Sequence, residues 1–302
     1  MKVLITGGAG FIGSNLTLEI QDRFSNFKII VLDDFSIGVE ENLEGFKGEV
    51  IKGSIEDTKL INSLKNEDFK IIFHQAALTD TTVEDKDLML KINLEGFKNI
   101  LDLAKASNSK VIYASSAGVY GNGPVPMRES QRVFPLNTYA LSKVKADQLA
   151  MDFAREQDLK IVGLRYFNVY GQNEAHKKKS ASMIWQLFSQ MRKGLPPKIF
   201  KYGEQMRDFI YIKDCVEANI KAIEATESVI INIGTGKAVT FNRIIEILNG
   251  VLNTDLSPIY FDNPYDFYQN STLADMSLSE KILGFKAKYA IEEGIRDYVG
   301  SK

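Results

Sequence analysis

The chain has 302 residues, 44% of them apolar and 25% charged, enough to bury one large core or two closely joined ones. A net charge of −2 with both signs interspersed argues against a nucleic-acid or anionic-membrane partner. The single cysteine, Cys215, excludes an internal disulfide framework, and two histidines, His74 and His176, without CxxC or HExxH spacing argue against a metal site. In chain order, the first strand-like run starts at residue 2, which leaves no room for a signal peptide, and no apolar run reaches the length of about 18 residues needed to span a membrane. The expectation is a soluble cytoplasmic protein.

Lys2–Thr6 reads as a short buried strand. Glycines follow at 7, 8, 10 and 13, and an apolar-periodic segment runs from Phe11 to Ile20. Strand, tight turn and helix start, in that order, let backbone N–H groups and the positive end of the helix dipole approach a pyrophosphate. Gly7, Gly10, Phe11, Ile12 and Gly13 are therefore candidate dinucleotide contacts. The next run, Lys28–Leu32, closes on Asp33, whose carboxylate can accept hydrogen bonds from both hydroxyls of an adenosine ribose and repels a 2′-phosphate. Asp34 follows, and no Lys or Arg occurs before Lys47, so NAD is favoured over NADP.

Glu49–Lys52, Lys70–His74, Lys110–Ala114 and Lys160–Leu164 continue as short apolar strands, with helical periodicity in Leu88–Ala106 and Tyr139–Glu156. The alternation predicts an α/β fold: a Rossmann-like doubly wound parallel sheet, with ligands beyond the carboxyl ends of its strands. After Tyr166 the pattern loosens around Lys177-Lys178-Lys179, Pro196-Pro197 and Asn263-Pro264. Phe209–Ile212, with the helix after it, and Val229–Ile233 read as returning to the sheet. This gives a cofactor domain of residues 1–166 with 206–234, and a smaller C-terminal α/β substrate domain of 167–205 and 235–302.

Tyr139 and Lys143 stand four residues apart on one helix face. A Tyr hydroxyl with an ordinary pKa of about 10 is a poor base at neutral pH, and a neighbouring cation favours its phenolate. Ser116, just past the strand ending at Ala114, can hydrogen-bond the same substrate oxygen. The plainer alternatives are a surface Tyr–Lys pair and a serine turn cap.

Together these residues resemble the extended short-chain dehydrogenase/reductase family, in its sugar-nucleotide epimerase and dehydratase branch. The resemblance covers almost the whole chain. It includes the Gly7–Gly13 fingerprint, His74-Gln75-Ala76-Ala77, Asn93, Ser116 with Tyr139 and Lys143, Arg165-Tyr166-Phe167-Asn168-Val169-Tyr170-Gly171, and Arg207-Asp208-Phe209-Ile210-Tyr211. It implies a tightly held NAD that takes a hydride from a carbinol carbon, with Tyr139 as base, Lys143 tuning it and Ser116 assisting. Ala76, Ala77, Asn93 and Tyr166 join the implied cofactor contacts. It also implies self-association through the Tyr139 helix and the Leu88–Ala106 helix.

Family dehydratases carry an acidic pair directly after the active-site Ser/Thr, whereas this chain has Ala117-Gly118, which favours simple epimerisation. Within the branch the sequence is most similar to the ADP-glycero-manno-heptose 6-epimerases, through Glu174-Ala175-His176-Lys177, Ser180-Ala181-Ser182-Met183, Asp80-Thr81-Thr82, Pro135-Leu136-Asn137 and Tyr268-Gln269. That similarity implies a nucleoside-diphosphate sugar substrate and a second acid/base group at Lys177. It implies substrate contacts at Thr81, Asn168, His176, Arg207 and Tyr268, with the Arg207 guanidinium suited to a diphosphate. A solvated basic loop or a diphosphate clamp are the other readings of Lys177. The chain departs from the 6-epimerase pattern where Lys178 and Lys179 replace a glycine, and where Asp33-Asp34 sits poorly with the NADP that better-known members use. The alternatives are a UDP-hexose 4-epimerase, and a dinucleotide-binding protein without catalysis.

Overall fold

Twelve short strands and nine α-helices order the computed structural model over the described residues, 1–79, 86–263 and 269–300. The strands are Lys2–Thr6 (β1), Lys28–Asp33 (β2), Glu49–Lys52 (β3), Ile71–His74 (β4), Lys110–Ser116 (β5), Ile161–Tyr166 (β6), Asn168–Tyr170 (β7), Lys198–Phe200 (β8), Met206–Tyr211 (β9), Val229–Ile233 (β10), Ala238–Thr240 (β11) and Ile259–Phe261 (β12). The helices are Phe11–Arg23 (α1), Thr58–Ser63 (α2), Lys86–Ser107 (α3), Thr138–Gln157 (α4), Met183–Met191 (α5), Ile212–Lys221 (α6), Phe241–Leu252 (α7), Ser277–Leu283 (α8) and Ile291–Gly300 (α9).

Seven strands form the expected doubly wound parallel sheet, in the order β10-β6-β5-β4-β1-β2-β3. Successive side chains of a strand point to opposite faces, so the apolar runs supply two cores at once. Val3, Ile5, Ile71 and Phe73 pack on the face covered by α1 and α6, while Leu4, Ile30, Leu32 and Ile72 pack on the face covered by α3 and α4. The strand order reverses between β1 and β4, where Thr6 pairs in register with His74. In such sheets a ligand crevice opens at that switch point. The carboxyl ends of β1, β2, β4 and β5 converge there, and with the loops that follow they carry Gly7, Asp33, Ala76 and Ser116.

The segments past Tyr166 divide. Val229–Ile233 joins the main sheet beside β6, as expected. Phe209–Ile212 does not: β9 is the middle strand of a separate sheet, β11-β9-β7, parallel to β7 and antiparallel to β11. A short apolar run signals burial on both faces and leaves the choice of sheet to its long-range partners. Here the partner is Asn168–Tyr170, peeled from the end of β6 at Phe167. The helix after it, α6, does return and packs on α1. β8 and β12 form a third, two-stranded parallel sheet.

Candidate active site

The fingerprint turn is built so tightly that only glycine fits. Gly7 has φ +68°, and a Cβ there would lie 2.5 Å from the Ala76 amide nitrogen. A Cβ on Gly13 would lie 2.0 Å from the Gly7 carbonyl oxygen. No side chain caps α1 at Gly10, so the first-turn amides of Phe11, Ile12 and Gly13 are left for an anion. Asp33, 7% exposed, accepts from the amides of Ala9 (2.9 Å) and Phe35 (2.9 Å). Burial raises its carboxyl above the usual range, against those two hydrogen bonds. A carboxylate has about four acceptor positions, so two remain for a ribose diol. Asp34 is exposed and accepts from the Ser36 amide and hydroxyl. A glycine cradle, a bare helix start and a buried acid at the end of β2 fit a dinucleotide whose ribose carries no 2′-phosphate.

Two of the expected cofactor residues turn out to be held by the protein itself. The Asn93 amide accepts from the Leu78 N–H (2.8 Å) and donates to the Leu78 carbonyl (3.0 Å) and Ser142 hydroxyl (3.0 Å). It thereby fixes the loop that presents Ala76 and Ala77. The Tyr166 hydroxyl donates to Asn219 (2.9 Å) and stands 3.2 Å from the Gln75 amide, and burial holds it protonated.

Tyr139, Lys143 and Ser116 come together at the mouth. Asn137 caps α4 by accepting from the Ala140 amide (2.8 Å), which sets the first turn and Tyr139 with it. Lys143 donates to the Ala114 carbonyl (2.8 Å) with its ammonium 5.7 Å from the Tyr139 ring centre. Burial pushes the Tyr139 phenol up while a hydrogen bond from Ser116 pulls it down. Burial also lowers the Lys143 ammonium to about 8, with Asp147 opposing. Ser116 additionally caps the turn after β5, accepting from the Gly118 amide (3.1 Å), so the plainer reading of that serine holds alongside the chemical one. His74 is buried, bonded to the Thr6 hydroxyl (2.8 Å) and stacked on Phe97. Burial and the Lys143 charge bring its pKa to about 3, so the ring is neutral.

The 171–182 segment is lashed to the fingerprint. Asn15 donates to the carbonyls of Phe11 (2.8 Å) and Gln172 (3.0 Å), Asn173 donates to Ser14 (3.1 Å), and Asn42 donates to the Ala9 carbonyl (2.9 Å). His176, expected on the substrate side, has Nδ1 3.2 Å from Asn42 and interacts electrostatically with Asp33, so it stands beside the cofactor cradle. Lys177 lies with its ammonium 5.6 Å from the Phe11 ring centre, and burial lowers its pKa against the pull of Glu174. Lys178 and Lys179 are exposed, so Lys177 is the lysine turned inward. Asn42, Asn15 and Glu174 have no motif to announce them; Glu174 lay inside the family segment without a role of its own.

On the far side, Asn168 accepts from the Thr272 hydroxyl (3.0 Å). Arg207 is buried, donates to the Met206 carbonyl (2.9 Å) and lies over Phe241. The neighbouring Asp208 carboxylate accepts from Thr235, Gly236 and Ala274 and fixes that loop. Thr81 and Tyr268 lie outside the described residues. Among the described residues no cluster of His, Cys, Asp or Glu could hold a metal ion, and no helix is long and apolar enough to cross a membrane.

Comparison with known proteins finds relatives over the whole length of the chain. Residues 3–234 match the model of the NAD dependent epimerase/dehydratase family. An ADP-L-glycero-D-manno-heptose-6-epimerase from Brachyspira hyodysenteriae is 36% identical over 306 residues, covering 98% of this chain and 96% of the relative. The crystal structure of the Helicobacter pylori ADP-L-glycero-D-manno-heptose-6-epimerase superposes with a TM-score of 0.93 at 40% identity, covering 99% of this chain and 95% of that one. The Thermotoga maritima UDP-glucose 4-epimerase, solved with UDP-glucose, gives 0.94 at 30% identity, covering 99% and 98%.

Proposed function

The chain belongs to the NAD dependent epimerase/dehydratase family, and from that premise we propose that it is an ADP-glycero-manno-heptose 6-epimerase using NAD. The observation that carries this reading is the pair of proton-transfer groups flanking the crevice. Tyr139 sits beside Ser116 at the end of β5, and Lys177 lies over Phe11 at the helix after β1. An epimerase must serve both faces of its carbon, and one acid/base group from each side of the crevice would do so.

In this mechanism Tyr139, with Ser116 holding the substrate oxygen, removes the hydroxyl proton as the carbinol hydrogen leaves as hydride. On the opposite face of the same carbon, Lys177 would return a proton to the substrate oxygen once the ketone has been reduced there. In the protein alone burial favours the phenol and the neutral amine. NAD held by the Gly7–Gly13 turn and Asp33 would supply the hydride acceptor, and its positive charge would favour the phenolate. Asp33 disfavours NADP by repulsion. Arg207 and Asn168 take the diphosphate and sugar, within a substrate side formed by 167–205 and 235–302. Self-association through α3 and α4 belongs to the same reading.

The similarity of fold to the T. maritima enzyme supports a second reading, a UDP-hexose 4-epimerase. Proton NMR of the NAD-loaded protein with ADP-D-glycero-manno-heptose, run in parallel with UDP-galactose, separates the two. The expected result is inversion at C6 of the heptose without net NADH release. Turnover of UDP-galactose alone would move the reaction to C4 and make Lys177 a phosphate clamp or loop residue.

A further inference from the structure

Asn168 opens β7 just past Tyr166, which pairs in register with Ser116, and it is itself paired with Phe209 of β9. Paired residues point to one face of a sheet, so Asn168 shares its face with Phe209 and, two places back along β9, with Arg207. The chain returns to this place at 270–272. There the Met206 amide donates to the Asn270 carbonyl (3.0 Å), and the Thr272 amide donates to the Met206 carbonyl (3.1 Å). Those two bonds bring the Thr272 side chain, 2% exposed, up to Asn168. Its hydroxyl accepts from the Asp208 amide (3.2 Å) and donates to the Asn168 Oδ1 (3.0 Å). Were the Asn168 amide turned over, its NH2 would meet that hydroxyl, and the buried Thr272 proton would lose its acceptor. As placed, Asn168 is half-buried and its NH2 has no partner among the described residues. A group that only donates, on the same face as a buried guanidinium, suits the oxygens of an anion.

We propose that Thr272 is a positioning residue of the substrate site: its hydroxyl, anchored on the Asp208 amide, fixes the Asn168 side chain with its carbonyl inward and its NH2 toward the substrate diphosphate. This rests on reading Asn168 and Arg207 as the contacts to that diphosphate. Thr272 acts through Asn168 alone. It removes one of the two orientations of the amide before the substrate arrives, and so lowers the ordering cost of binding.

The test is a calorimetric titration of the NAD-loaded protein with ADP and with UDP, which between them carry the diphosphate of both sugar-nucleotide readings. Thr272→Val, close in shape but without the hydroxyl, is expected to weaken the diphosphate that the parent binds by about tenfold, the scale of a lost hydrogen bond to a charged group. Thr272→Ser, which keeps the hydroxyl, should bind close to the parent. In an Asn168→Ala background Thr272→Val should weaken binding no further, because the group it positions is gone. A second loss there would mean that Thr272 acts through the Asp208 loop, and would overturn the proposal. So would a Thr272→Val protein that binds as tightly as the parent, or a parent that binds neither diphosphate. Should Thr272→Val fail to fold with the Asp208 amide unpaired, Asn168→Asp keeps the acceptor for Thr272 and puts an oxygen where the NH2 stood. It should bind more weakly than Asn168→Ala, and equal or tighter binding overturns the proposal. No turnover enters this titration, so a failure of the epimerase reading, seen as neither sugar nucleotide being converted while these shifts persist, is a separate result.

Discussion

The turn that carries Lys177 hangs on one buried carboxylate, and replacing Glu174 by Gln tests what that carboxylate does. Its Oε1 accepts from the Gly171 amide (3.0 Å) and the Ser182 hydroxyl (3.0 Å), and its Oε2 from the Ser182 amide (2.6 Å). These neighbours donate, as does the Tyr298 hydroxyl, so the site is shaped for the ionised form even though burial raises the carboxyl's pKa. In Glu174→Gln one oxygen becomes NH2. At the Oε1 position it faces the Gly171 N–H; at the Oε2 position it faces the Ser182 N–H. Either way one buried donor loses its acceptor, at a cost of about 2 kcal/mol. In a chain of this size that is a fall in Tm of about 4 °C by calorimetry. The substitution also removes the negative charge that favours the Lys177 ammonium, so that lysine titrates to neutral at lower pH than in the parent. The limb of the kcat–pH profile that depends on Lys177 should therefore move to lower pH. A Tm within about 1 °C of the parent, with an unmoved limb, would refute the argument: the donors would then be finding water at no cost, and Glu174 would hold neither turn nor charge.

Three further outcomes follow from the same geometry. Gly13→Ala puts a Cβ 2.0 Å from the Gly7 carbonyl, which no side-chain motion relieves, so the variant should purify without bound NAD; full occupancy by absorbance would dismiss the cradle. His74, with its pKa lowered from 6.5 to about 3, stays neutral in the fold while the unfolded chain takes a proton, so stability present above pH 6.5 is lost as pH falls toward 3. Between pH 6.5 and about 4, denaturant unfolding of the parent should lose about 3 kcal/mol more than that of His74→Asn, and equal losses would contradict a neutral ring. Lys177→Ala, with Lys178 and Lys179 intact, should lower kcat on the heptose substrate by roughly 10²–10⁴-fold while NAD stays bound; a fall of less than about tenfold would make it a clamp.

Much of the fold was legible because its signal is local. A parallel strand buried on both faces is a near-continuous apolar run, and Lys2–Thr6 occurs at the bounds such a run suggests. The glycines were legible for a similar reason, since the contacts that forbid a Cβ at Gly13 lie within the same turn. What stayed hidden depends on pairings distant in sequence. Nothing in Met206–Tyr211 says that its partner is Asn168–Tyr170 rather than a strand of the main sheet. Similarity to the 6-epimerases implies a substrate contact at His176, and its contact with Asn42, beside Asp33, could not be read from the sequence. Asn42 is an ordinary residue in a short turn, and its donation to the Ala9 carbonyl exists only once the fold is made.

That hidden layer bears on function as well as on placement. One short turn sends His176 to the cofactor cradle and Lys177 over Phe11, and Glu174 anchors its start. The position of Lys177, the proposed second acid/base group, is thus tied to the glycine turn proposed to hold the dinucleotide, through Asn15, Asn42 and Asn173. A sugar pocket built on an independent domain could drift relative to the hydride acceptor, and misplacement by about 1 Å costs up to 10²-fold in rate. Lashing the Lys177 segment to α1 removes that freedom for one proton-transfer group, as capping α4 with Asn137 does for the other. Both segments are thus anchored on helices that follow strands of one sheet, α1 after β1 and α4 after β5.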